Sequence, residues 1–123
     1  MDRLGIHTRR SLSQHLVQHG DLPRIEHRGT AGGESLLAEV DRAGLRGRGG
    51  GWFPTATKLR AVIDSSAQRS RLSSRRHPVV IANGMEGEPA SGKDAALLAS
   101  SPHLVIDGIA VAAALVGATD AFI

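Results

Sequence analysis

The sequence has 123 residues, 41% of them hydrophobic, with a net charge of +3 and no cysteine. That length fits one small domain at most. The missing thiols exclude disulfides, thiolate zinc sites and cysteine-ligated iron–sulfur clusters. The modest positive charge favours an anionic small molecule or a mildly basic surface without requiring nucleic acid. Trp52, Phe53 and Phe122 are the only Phe or Trp residues and tyrosine is absent, so any core is aliphatic. The longest apolar stretch, residues 108–118, falls short of the ~20 residues a bilayer span needs. The N-terminus lacks an apolar signal region, and the default expectation is a bacterial-type cytoplasmic protein.

In chain order, residues 1–33 read as a weakly structured N-terminal segment and linker. Within it, Leu12, Leu16 and Val17 could line a short helix ended by Gly20 and Asp21. Residues 34–43 form a firmer helix, with Leu36, Leu37, Val40 and Ala43 at helical spacing and Gly44 at the C-terminal cap. The glycines of residues 47–51 must lie in a loop, since each costs about 1 kcal/mol against alanine inside a helix. Pro54 and Thr55 open the next helix, which buries Leu59, Val62 and Ile63, and residues 64–76 read as a solvated Ser/Arg-rich connection. After Pro78, the run Val79–Ala82 predicts a parallel strand covered on both faces. A short helix over residues 94–99 follows. Ser101 and Pro102 begin a longer helix that Gly117 stops, and Ala121, Phe122 and Ile123 begin a second strand. The order predicts an α/β fold, a partial Rossmann-like parallel sheet with flanking helices. Two strands do not make a stable open sheet, so the expectation is a domain truncated within a strand.

Three places carry possible chemistry. Gly47, Arg48, Gly49, Gly50 and Gly51 precede a helix, where backbone N–H groups can approach phosphate or ring atoms. The spacing approaches the dinucleotide fingerprint, but Trp52 stands at its third glycine and a helix precedes it where a strand is required. An arginine–glycine nucleic-acid segment and a plain flexible turn are the other readings of these residues, the former lacking repetition and interleaved aromatics. Residues 87–94 approach a phosphate-binding loop, with Asp94 in place of the magnesium-binding hydroxyl, Pro89 removing a donor, and Glu86 and Glu88 adding negative charge. Glu86 and Glu88 fall after a parallel strand, where ligands bind in open α/β sheets, though solvated loop carboxylates are the commoner outcome. His15 and His19 have i, i+4 spacing, and a solvated helix face suits them better than a metal because no third ligand is nearby in sequence.

Taken together, GLRGRGGGWFPTATK (44–58), VVIANGMEGEP (79–89), KD (93–94) and SPHLVIDG (101–108) resemble one family. It is the flavoprotein subunit of respiratory NADH:quinone oxidoreductase, with relatives in NAD-linked formate dehydrogenases and hydrogenases. The resemblance covers residues 36–123 and implies that residues 34–123 are the N-terminal half of an FMN- and NADH-binding α/β domain. It implies hydride transfer from NADH to FMN when the other half completes the site. Carried over by position, Gly47, Arg48, Gly49, Lys58, Asn83 and Glu86 match flavin contacts, with Gly50 and Gly51 completing the cofactor-binding loop. Phe53 matches an aromatic stacking on the NADH adenine, and Glu86 and Glu88 match acids of the NADH pocket. The cofactors would supply the redox chemistry.

This sequence departs from the family pattern at Trp52, in place of glycine, at Met85, in place of an acid, and at Ala61, in place of a second stacking aromatic. The family's second glycine-rich loop, ubiquitin-like insert and cysteine-bearing cluster domain are not in this sequence. The implied partners are therefore a polypeptide supplying the rest of the flavin domain and an iron–sulfur or ferredoxin-type protein, with no nucleic acid and no iron–sulfur cluster in this chain. Membrane association would come only through partner subunits. The isolated chain is expected to be inactive. The alternative reading is a non-catalytic remnant, or an interaction or assembly module that has lost cofactor binding.

Overall fold

A computed structural model describes residues 10–22, 31–48, 51–72 and 77–123. In chain order these form α1 (Leu12–His19), α2 (Ala31–Arg42), α3 (Thr55–Leu72), β1 (Val79–Ile81), α4 (Lys93–Ser100), α5 (Pro102–Val116) and β2 (Asp120–Phe122). Residues 23–30 of the linker expected over 23–33 lie outside the described residues, as do 73–76, while residues 31–33 belong to α2 and not to a linker.

Local chemistry sets the helix ends. Ser11 and Gln14 form a reciprocal capping box at α1: Ser11 Oγ accepts from the Gln14 amide at 3.3 Å and Gln14 Oε1 accepts from the Ser11 amide at 2.9 Å. Gly117, at φ 69°, closes α5 in the left-handed conformation. The Ala118 amide donates to the Ala113 carbonyl (2.9 Å) and the Gly117 amide to that of Ala114 (3.3 Å), which is a Schellman closure. The α3 helix runs to Leu72, so residues 64–72 are helical and not the solvated connection expected from their Ser and Arg content. Polar residues on the outer side of a helix cost little when its inner face is anchored.

The α5 helix is the axis of the molecule. The buried Leu37 of α2, Ala56 of α3 and Leu115 of α5 meet, with Leu36, Val40, Leu59, Ile63 and Val111 packed around them. Fully burying a leucine such as Leu37 contributes roughly 2 kcal/mol. The α1 and α4 helices and both strands also pack on α5. α4 and α5 meet at a bend of 101° around Ser101, where Pro102, lacking an N–H, takes the first helical position.

β1 and β2 are parallel, with Val79 opposite Asp120, Val80 opposite Ala121 and Ile81 opposite Phe122. The α/β character and the parallel pairing are as the element order predicts. The expected burial on both faces is not found: Val80 is half-buried, whereas Val79 (51%), Ile81 (73%) and Phe122 (59%) are exposed. Alternate strand residues point to opposite faces, and α5 covers one of them. No single helix among the described residues is long and apolar enough to cross a membrane.

Candidate functional site

Two arms converge on an open cleft at the C-terminal end of β1. The first is the connection from α2 to α3. Its ends are tied by backbone bonds from the Thr55 amide to the Leu45 carbonyl and from the Gly47 amide to the Phe53 carbonyl, both 2.9 Å. Arg46 and Pro54 form an antiparallel bridge between them. Trp52 adopts φ 46°, the left-handed region that bulky residues seldom enter. Its carbonyl accepts from Arg46 Nη1 at 3.3 Å, and the Arg48 guanidinium lies 4.8 Å from the centre of its ring. Lys58 Nζ stands 5.6 Å from the Phe53 ring centre.

The second arm is the loop from β1 to α4. The Ala82 amide donates to the Phe122 carbonyl at 2.8 Å, which carries the strand pairing one residue further. Asn83 Oδ1 accepts from the Met85 amide at 2.9 Å, a local turn that side-chain amides favour. The N-terminal cap position of α4 is Gly92, which has no side chain to satisfy the first amides of the helix. Glu86 does so: its Oε2 accepts from the Asp94 amide at 2.9 Å. Its Oε1 accepts from Lys93 Nζ at 2.8 Å, and Lys93 also reaches Asp94 Oδ2 at 2.8 Å. Lys93, then Ser91 and the Asp94 amide, hold the Glu86 carboxyl down at about 2. Asp94 foremost, and Glu86 after it, push the Lys93 ammonium up from its ordinary value. The helix terminus that a phosphate-binding loop would offer to phosphate already holds a carboxylate.

The cleft has a volume of about 390 Å³ and is lined by Arg48, Asn83, Met85, Gly87, Glu88, Lys93 and Asp94. A smaller apolar hollow of about 120 Å³ adjoins it through Asn83 and Asp94, walled by Leu97, Leu98, Val105 and Ile123. Of the residues expected from the sequence, Arg48, Asn83 and Glu88 are brought together in the cleft wall. Glu86 is committed to Lys93 and the start of α4. Gly47 belongs to the paired base of the first arm, and Gly51 is exposed. Phe53 and Lys58 pair with each other on the exposed surface and do not line this cleft. Gly49 and Gly50 lie outside the described residues. Sequence reasoning left Lys93 and Asp94 out of the site, although both stand in a block that carried the resemblance.

His15 departs from the solvated face expected of it. It is buried at 4% exposure, with Nε2 2.8 Å from Asp107 Oδ2 of α5. The His19 and His103 rings lie 5.0 and 5.5 Å from its own. Among the described residues no three His, Asp or Glu side chains are placed to share a metal ion. Helical spacing alone does not say which of two histidines faces the neighbouring helix.

Known proteins give this arrangement a family. The family described as the Nuo51 FMN-binding domain matches residues 40–123, and the chain belongs to it. A subunit of the NADH-quinone oxidoreductase of Aquifex aeolicus is 34% identical over 90 residues, 73% of this chain and 19% of that relative. The corresponding subunits of Streptomyces coelicolor (36% over 90 residues, 73% of this chain and 18% of the relative) and Rickettsia felis (36% over 92 residues, 75% and 20%) are similar to the same degree. The chain thus spans about one fifth of the length of these relatives.

Proposed function

We propose that this chain supplies one wall of an FMN- and NADH-binding site in an NADH:acceptor oxidoreductase of the quinone-linked kind. One observation carries the reading. A cleft at the C-terminal end of a parallel strand, the usual ligand position in such sheets, gathers Arg48 from the glycine segment with Asn83 and Glu88 from the strand loop. The donor set fits an anionic, ring-bearing cofactor. Arg48 offers a guanidinium fork to phosphate. The Asn83 amide group and the Glu88 carboxylate offer hydrogen bonds to ring or ribose groups, and Phe53 with Lys58 presents a face and a charge outside the cleft lining. FMN, when bound, supplies two-electron acceptance from a nicotinamide. The residues of this chain bind and orient, and Glu86 with Lys93 fixes the loop that carries Glu88.

The finer parts of the reading rest on the family. Residues 34–123 act as the N-terminal half of the flavin domain behind the segment 1–33, a further polypeptide closes the opposite wall, and electrons leave to an iron–sulfur or ferredoxin-type partner. The location we propose is bacterial-type cytoplasmic, with membrane association through partner subunits, in keeping with relatives that are NADH-quinone oxidoreductase subunits. A second reading, a binding or assembly module without catalysis, is favoured by the bonds that Asn83 Oδ1 and Glu86 already make within the loop.

Titration of the chain with FMN, followed by flavin fluorescence and calorimetry, tests the proposal. Saturable binding is expected. Arg48→Ala should weaken it about tenfold, the order of the ~1.5 kcal/mol a charged hydrogen bond contributes. No binding, or binding indifferent to Arg48 and Glu88, would leave the module reading in its place.

A further inference from the structure

Trp52 is anomalous on three counts that share one explanation. It is the only tryptophan in the sequence, and it is 55% exposed. It occupies φ 46°, a conformation that favours glycine over a bulky side chain. Burial does not repay that strain. The backbone is held in place by neighbours, since Arg46 binds the Trp52 carbonyl and the Phe53 carbonyl accepts from Gly47. The indole therefore stands out from the surface, with the Arg48 guanidinium stacked 4.8 Å from its centre. Arg48 also lines the cleft, and no carboxylate pairs with it among the described residues. Lys93, the other cation of the cleft wall, is committed to Glu86 and Asp94.

We propose that Trp52 and Arg48 form a two-part grip for a planar heterocycle that carries phosphate. The indole face stacks on the ring, and Arg48 leaves that face to pair with the phosphate. A guanidinium and an aromatic heterocycle use the same flat, electron-rich surface. Arg48 therefore keeps the indole covered until an anion draws it away. The inference rests on the nucleotide reading of the cleft and adds to it a recognition residue that the family pattern lacks, because glycine stands at this position in that pattern.

Calorimetric titration of the chain and of Trp52→Gly, Trp52→Phe and Arg48→Ala with FMN, and separately with NADH, tests it and shows which ring stacks. For at least one ligand, Trp52→Gly should weaken binding about tenfold, the order base–aromatic stacking gives, while Trp52→Phe stays within about threefold of the native chain. Arg48→Ala should weaken the same ligand. Glycine is at ease at φ 46°, so Trp52→Gly should melt no lower than the native chain, which separates lost stacking from lost fold. Equal or tighter binding of both ligands by Trp52→Gly would overturn the grip while leaving the cleft reading intact. Tighter binding by Arg48→Ala would overturn it too, because Arg48 would then merely compete for the ring. No binding of either ligand by the native chain would overturn both readings.

Discussion

At the scale of single residues, Glu86 and Lys93 show how a carboxylate can be taken up by the backbone and a neighbouring ammonium. The resemblance matches Glu86 to an acid of a flavin and NADH site, yet its two oxygens are engaged by Lys93 and the Asp94 amide. Negative charge near a helix N-terminus is favourable, and Gly92 leaves that terminus without a cap of its own. Glu86 is held at about 2, below its ordinary 4.5. Because the folded value is depressed, the stability it contributes is fully present above 4.5 and drains away as pH falls toward about 2. Melting temperatures of the native chain should fall across that window. Glu86→Gln should flatten this dependence and melt lower at neutral pH, and circular dichroism at a series of pH values reads both effects. Lys93 has the opposite sign: its raised value means that its contribution holds at neutral pH and is lost at strongly alkaline pH.

At the scale of elements, α1 is the clearest case of a helix whose place depends on one polar contact. Leu12 (54%), Leu16 (38%) and Val17 (90%) remain exposed, so the apolar residues that suggest a helix do not anchor it. His15 does, through Asp107, and the Arg10 amide adds a bond to the Ser100 carbonyl at 3.2 Å. A buried hydrogen-bonded group is costly to lose. His15→Ala should destabilise the α1–α5 contact by about 1–3 kcal/mol. Amide exchange in residues 12–19 should then accelerate while α2 and α3, held by the Leu37, Ala56 and Leu115 cluster, keep their protection.

At the scale of the whole molecule, the uncovered face of the sheet dominates. Val79, Ile81 and Phe122 are exposed on a two-stranded parallel sheet whose other face meets α5. Exposed apolar surface beside open strand edges promotes association. The isolated chain should self-associate in sedimentation experiments. The double change Ile81→Lys and Phe122→Lys should return it to a monomer without lowering its melting temperature by more than a few degrees, because neither side chain is buried within the chain.

Much of this was legible in the sequence, because much of it is local. Pro102 at a helix start and Gly117 at a helix end act over a few residues and lie where the pattern predicts, and Leu59 and Ile63 pack on the core as their spacing implies, whereas Val62 of the same set is 40% exposed. The blocks around the glycine segment and the strand loop carried the family, and with it the cofactor reading. Three features were decided by which groups the fold brings together and which surfaces it leaves uncovered. His15 is buried because α5 brings Asp107 to it across 92 residues. Val79 and Ile81, apolar enough for a covered strand, stay exposed because a strand's hydrophobicity does not supply the layer that covers it. Glu86 turns to α4 because Gly92 leaves the helix uncapped and Lys93 stands within reach, a competition between partners that only three-dimensional distance resolves.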